Sequence, residues 1–302
     1  MKPAGFDVDV AIDTPALLGE SPFWHAAEQS LWYCDIAGHA LHRFVPATAE
    51  SRRWQFHTDV GSAALCRDGR FLVALRDGLW RFDAASDERT RLAAAPYDPN
   101  GERFNDGKCD PAGRFWVGSI DEPHRVGRAA LWCFADGQLM RRQSGVTVSN
   151  GLAWSPDGLT MYWSDTPAHT VWAFDFEPAS GAMARRRVFA TFAGKPAVGL
   201  AGYGGRPDGA AVDMEGCYWV AMYEGGRVLR LSPAGEVLAE VRVPARCPTM
   251  PCFGGADLKT VYVTSASAGR PVDERARFPH PGCTFAFRVD VPGVPIEPAI
   301  AA

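Results

Sequence analysis

The chain has 302 residues, a formal net charge of −4, 47% hydrophobic residues and 22% charged ones. That length admits one large domain or two ordinary ones, and the apolar content is that of a soluble, well-cored protein. The mild negative charge excludes the footprint of a nucleic-acid or anionic-membrane binder, and no apolar run approaches a membrane span.

Residues 1–7 lack the apolar core of a secretion signal, so a cytoplasmic protein is expected. Of the eight cysteines, Cys34, Cys66, Cys109, Cys133 and Cys217 lie in apolar or turn-to-strand stretches. They are expected as reduced thiols used as small core residues. Cys247 and Cys252 do not have the spacing of a zinc knuckle.

A turn feeding a buried strand recurs along the chain, at residues 27–33, 67–73, 110–118, 155–163, 213–220 and 256–263. Each unit is followed by a second short apolar segment rich in aromatic and β-branched residues, as at 78–83, 130–134, 170–175 and 227–231. No long stretch has a clear helical period. The spacing fits one four-stranded propeller blade per unit. Six units therefore predict an all-β, six-bladed β-propeller, a single domain over residues 1–302. The strands near residues 8–12 and 284–289 are expected to share one blade, which closes the ring and removes its free edges.

The turn glycines of these units set a phase. Eight residues before Gly113, Gly158, Gly216 and Gly69 stand Asn105, Asn150, Asp208 and Gly61. The first and last units lack that glycine, but their strands align through Trp32, Tyr162 and Tyr262, which gives Glu20 and Met250. The equivalent position therefore reads Glu20, Gly61, Asn105, Asn150, Asp208, Met250. In a propeller such positions ring one end of the central channel. Four of these six carry side-chain oxygens, and Glu, Asp and Asn oxygens together suit a hard or borderline divalent cation. Asn105-Asp106-Gly107, Asn150-Gly151 and Asp208-Gly209 are also turn sequences, so each admits a purely conformational reading. Asp157 occurs in the same Pro-Asp-Gly as Asp208, but at the turn phase, and is expected to be structural.

Leu18-Gly19-Glu20-Ser21-Pro22, Arg103-Phe104-Asn105-Asp106-Gly107-Lys108, Ser149-Asn150-Gly151-Leu152 and Pro207-Asp208-Gly209 follow one another in an order that resembles the senescence marker protein/regucalcin and gluconolactonase family. The resemblance spans essentially the whole chain. It implies a propeller with a metal site in its central channel, holding one divalent cation, with calcium, zinc, manganese, magnesium and ferrous iron all admissible. It implies Glu20, Asn150 and Asp208 as the metal ligands, and Arg103 and Asn105 as groups that hold a sugar lactone. A glutamate that family members carry after the third unit's strand falls, by ungapped count, on Pro123, with Glu122 beside it as the substrate-binding candidate.

Lactone hydrolysis adds water to an ester carbonyl, and a cation there stabilises the developing charge or acidifies a water. By family analogy Asp208 is the general base, one carboxylate oxygen binding the metal and the other accepting a proton. Arg103 offers a fixed fork of donors, and Asn105 both a donor and an acceptor, to sugar oxygens. The chain has no Gly-x-Ser-x-Gly elbow, no His-Glu-x-x-His and no phosphate loop. His39 and His42 are expected in a blade turn, and His124 in a solvated loop.

The expected function is therefore a metal-dependent lactonase opening an aldonolactone such as glucono-, xylono- or arabinonolactone. The expected protein is monomeric, with a small-molecule sugar lactone as partner and neither nucleic acid nor membrane. The alternatives are a calcium-binding or interaction propeller without turnover, and a promiscuous metal-dependent arylesterase or phosphotriesterase. Loops 121–128, 223–227 and 266–281 are expected to set specificity.

Overall fold

The computed structural model describes residues 5–124 and 127–300. Residues 1–4 of the N-terminal stretch, and residues 125–126 of the loop 121–128, lie outside the described residues. Six four-stranded antiparallel sheets succeed one another along the chain. The innermost strands are Gly19–His25, Val60–Leu65, Glu102–Cys109, Ser149–Trp154, Arg206–Val212 and Pro248–Gly254. Each contacts the innermost strand of the next blade, and the first contacts the last, so the ring is closed. Asp9–Ile12, near the N-terminus, forms the outer strand of blade six and pairs with the C-terminal Thr284–Arg288. Joining both chain ends in one sheet ties the ring where it would otherwise open.

Four indoles, Trp32, Trp116, Trp163 and Trp219, are fully buried on the second strands of blades one, three, four and five. Each buried large side chain contributes roughly 1.5–3 kcal/mol, provided its N–H finds an acceptor. The Asp110 carboxylate accepts from Trp116 Nε1 at 2.8 Å and from Arg114 Nε at 2.6 Å. Asp213 does the same for Trp219 and Arg230. Ser30 and Ser149 hydroxyls serve Trp32 and Trp163.

The turn glycines Gly69, Gly113, Gly158 and Gly216 all have φ between 73° and 86°, the left-handed region open to glycine. In the last unit Leu258 takes that conformation, with φ 53°. In the first it falls on Gln29 rather than Glu28, because the turn there closes on the Ala26 carbonyl. All eight cysteines are free, and all but Cys109 are buried.

The histidine expectation needs one correction. His39 is in a turn and lies 2.8 Å from Asp59. His42 instead belongs to the strand Ala40–Val45 and stacks on Tyr33 at 4.7 Å, and burial pushes its pKa down to about 4. No described helix is long and apolar enough to cross a membrane.

Candidate active site at the mouth of the channel

Every innermost strand breaks register at the position singled out by the turn phase. The shifts fall at Glu20/Phe23, Val60/Ser62, Phe104/Gly107, Asn150/Ala153, Pro207/Ala210 and Pro248/Pro251. A bulge re-aims one side chain out of the pleat. This resolves the conformational alternative: Asn150-Gly151 and Asp208-Gly209 are bulge sequences inside strands, not turns. Gly151 has φ 68° at its bulge. On blade two a Cβ at Gly61 would collide with the Phe104 carbonyl, so only glycine fits there.

Glu20, Asn105, Asn150 and Asp208 are all buried. A hydrogen-bond chain links three blades. Arg103 Nη1 donates to Asn105 Oδ1 at 2.8 Å, and Asn105 Nδ2 donates to Asn150 Oδ1 at 2.8 Å. Asn150 Nδ2 donates to Thr166 Oγ1 at 2.8 Å, whose hydroxyl donates to the Pro207 carbonyl at 2.7 Å. Fixing Asn150 Nδ2 on Thr166 turns the amide oxygen the other way, towards Asn105.

The sequence reading gives Asn105 to a ligand's hydroxyls. Here its oxygen accepts from Arg103, and its nitrogen donates to Asn150 and to the Ser149 carbonyl at 3.0 Å. In this state Asn105 positions its neighbours. Arg103 is 8% exposed, and its Nε lies 3.7 Å from Glu122 Oε1. Glu122 also accepts from Arg76, at 2.9 Å and 2.7 Å. The structure thus brings Glu122 to Arg103 even though the ungapped count falls one residue beyond it. His124 carries φ 54° in the loop that follows.

The electrostatics of the channel are unusual for side chains so close together. Burial first, then the charges of Asp208 and Asp106, push the Glu20 carboxyl well above its usual range. Burial first, then Asp106, does the same to Asp208. Asp106 is buried too. Its Oδ2 accepts from the Leu152 N–H at 2.8 Å, while its Oδ1 has no hydrogen-bond partner among the described residues. Lys108 opposes it from the same strand and donates to the Ala210 carbonyl at 2.6 Å. Sequence reasoning missed Asp106, although it stands inside Asn105-Asp106-Gly107; its only signal was a second acid next to the ring position.

No group of three His, Cys, Asp or Glu side chains that could hold a metal ion is found among the described residues. The expected ligand set carries only two such side chains, Glu20 and Asp208, with an amide oxygen as the third. Asp157 is different in kind. It is exposed, and its Oδ1 accepts from Ser155 Oγ and from the Leu159 N–H, which lowers its pKa. A cavity of about 240 Å³ lies along the inner strands beyond the ring, lined by Ser21, Lys108, Ala153, Ala211 and Cys252 but by none of the ring carboxylates.

The family model for the "SMP-30/Gluconolactonase/LRE-like region" matches residues 18–267. The chain is 44% identical over 288 residues to the 6-deoxy-6-sulfogluconolactonase of Pseudomonas putida, covering 95% of this chain and 96% of that one. It is 36% identical over 293 residues to regucalcin of Danio rerio, covering 95% and 96%. The crystal structure of a calcium-binding protein, regucalcin, from Agrobacterium tumefaciens superposes with a TM-score of 0.88 at 27% identity, over 99% of this chain and 98% of that one. With the family model running across most of the blades and full-length relatives well above 30% identity, the chain belongs to the SMP-30/gluconolactonase family.

Proposed function

We propose that this lactonase opens an aldonolactone to the aldonic acid, with Glu20, Asn150 and Asp208 holding one divalent cation. The observation that carries this reading is the pair of buried carboxylates, Glu20 and Asp208, each held above its usual range by burial and by neighbouring acids. Burying such groups is costly unless a cation joins them. The orientation of Asn150, its nitrogen committed to Thr166, offers an oxygen to the same ring. These donors fit calcium, magnesium, manganese, zinc or ferrous iron, and the Agrobacterium relative is described as calcium-binding. Such a cation would supply electrophilic stabilisation where charge develops on the lactone carbonyl.

The protein's own residues do the rest. Asp208 accepts the proton of the attacking water. Arg103, with Nη1 anchored on Asn105 and the Phe104 carbonyl, presents its remaining donors to substrate oxygens. Glu122, held in turn by Arg76, faces the Arg103 side chain at the rim. A cytoplasmic location and a single-domain monomer complete the proposal.

The test is proton release on adding pentono- and hexono-lactones to the metal-loaded protein. Rates above spontaneous hydrolysis for at least one lactone are expected. Flat traces across the panel would leave a cation-binding propeller without turnover. For the same reaction, Arg103→Leu is expected to raise KM or lower kcat while calorimetric metal affinity stays close to wild type, because Arg103 faces substrate rather than ion. Loss of metal binding in that variant would make Arg103 a support of the ring instead.

A further inference from the structure

Two residues before the ring position, in or just before the innermost strands, stand Leu18, Asp59, Arg103, Val148, Arg206 and Pro248. Arg103 and Arg206 are thus equivalent residues, on blades three and five. The hydrogen-bond chain uses Arg103 and leaves Arg206 out. The Arg206 guanidinium stacks over the Tyr223 ring at 5.3 Å, and its Nη2 lies 3.3 Å from Glu224 Oε2. Its Nε is buried without a hydrogen-bond partner among the described residues, and so is Glu224 Oε2. The contact is therefore an ion pair of poor hydrogen-bond geometry, with donor capacity left over.

The surroundings of Arg206 add positive charge. Glu224 is buried, and its Oε1 accepts from Lys195 Nζ at 2.8 Å and lies 3.9 Å from Arg270 Nη1. Arg270 pairs in turn with Glu274. Three cations, Lys195, Arg206 and Arg270, thus gather on the one buried carboxylate of Glu224, with Arg270 shared with Glu274. On Arg103's side of the mouth, Arg76 and Arg103 face Asp59 and Glu122. The wall takes Arg206 from its strand, Lys195 from the connection 192–205, the longest between blades, Glu224 from the turn after Tyr218–Tyr223, and Arg270 from the loop after Thr260–Ser265. Long connections of this kind are where binding determinants are placed.

We propose that this wall is a subsite for an anionic substituent, a sulfonate, phosphate or carboxylate, carried by the lactone away from its ester, and that Arg206 is the residue that selects it. The proposal rests on the lactonase reading above. An oxyanion offers Arg206 the acceptors it lacks, and the planar fork matches tetrahedral and carboxylate oxygens with paired hydrogen bonds. Lys195, with 41% of its side chain exposed, adds a part-exposed charge at the rim. A neutral lactone leaves Arg206 short of acceptors.

The experiment compares metal-loaded wild type, Arg206→Leu and Arg206→Gln on glucono-lactone and on its 6-sulfonate, 6-phosphate and 6-carboxylate counterparts. Folding of each variant is checked by its melting curve. The ratio of kcat/KM for the best anionic lactone to that for the neutral one is expected to exceed about tenfold in wild type and to fall about tenfold to a hundredfold in both variants, the scale for losing charged hydrogen bonds. The three anionic arms identify which oxyanion the wall prefers. Calorimetric binding of the matching open-chain aldonates is expected to show the same preference in wild type and its loss in both variants. A ratio near one in wild type, or a ratio that Arg206→Leu and Arg206→Gln leave unchanged, would overturn the subsite. If no lactone is turned over, the lactonase reading fails, and aldonate binding alone decides the subsite.

Discussion

Exhaustive chelation is expected to abolish lactone hydrolysis, and one divalent ion to restore it. The ring residues predict this because Glu20 and Asp208 are buried together and neither carboxyl is easily ionised alone. The same fact gives the metal-free protein a pH signature. Unfolded, the two carboxyls titrate near about 4 to 4.5. Folded, both titrate higher, burial being the first cause for each and neighbouring acids the next. Between those values the native state holds more protons than the unfolded one, so this pair's contribution to stability falls as pH rises. It is fully favourable below the unfolded values and lost above the folded ones. Scanning calorimetry of chelated protein should therefore show Tm falling from pH 4.5 towards neutrality, with a shallower fall in Glu20→Gln. Added cation should raise Tm more at neutral pH than at pH 5, because protons compete with metal for the same oxygens. Full activity in protein shown metal-free by elemental analysis would remove the cation from the mechanism.

The blades were readable because their signals are local. Turn glycines at positive φ, buried tryptophans and short β-branched runs all follow from the conformation of a few adjacent residues. The ring was readable through spacing alone, since the distance from hairpin turn to channel mouth is nearly constant from blade to blade. What spacing could not show is the bulge. It is a relation between two strands, and it converts Asn150-Gly151 from a turn sequence into an aimed side chain. Asn105's commitment to Arg103 and Asn150 was hidden for the same reason: its partners lie on its own blade and on the next one. His42 was misplaced because a histidine near a turn reads as polar, whereas Tyr33 opposite offers it a ring to stack on. The cationic wall around Arg206 was the least legible part. It joins Lys195, Glu224 and Arg270, drawn from three separate connections, and no local period links them.

Asp208→Asn is expected to weaken metal binding and to cut kcat by about a hundredfold or more, the usual scale for losing a general base. Asparagine keeps the size and one ligand oxygen but carries neither the charge nor the proton acceptor. Asp208 sits at a bulge, buried, beside Asp106. Removing its charge relieves repulsion in the metal-free protein, so Tm without metal should hold or rise while activity falls. That opposition separates a functional carboxylate from a structural one. Asp157→Asn supplies the contrast, because Asp157 occupies the same Pro-Asp-Gly in an exposed hairpin turn. Its Oδ1 accepts from the Leu159 N–H at 3.0 Å, a bond an asparagine oxygen can keep. Activity and metal affinity should then stay near wild type, with any effect confined to a small loss of Tm. Equal losses of activity in the two variants would show that the eight-residue phase separates nothing of functional value. An Asp208→Asn protein that binds metal and turns over normally would remove Asp208 as the base and leave the proton to be taken up elsewhere in the ring, with buried Asp106, whose Oδ1 has no hydrogen-bond partner among the described residues, the next carboxylate to test.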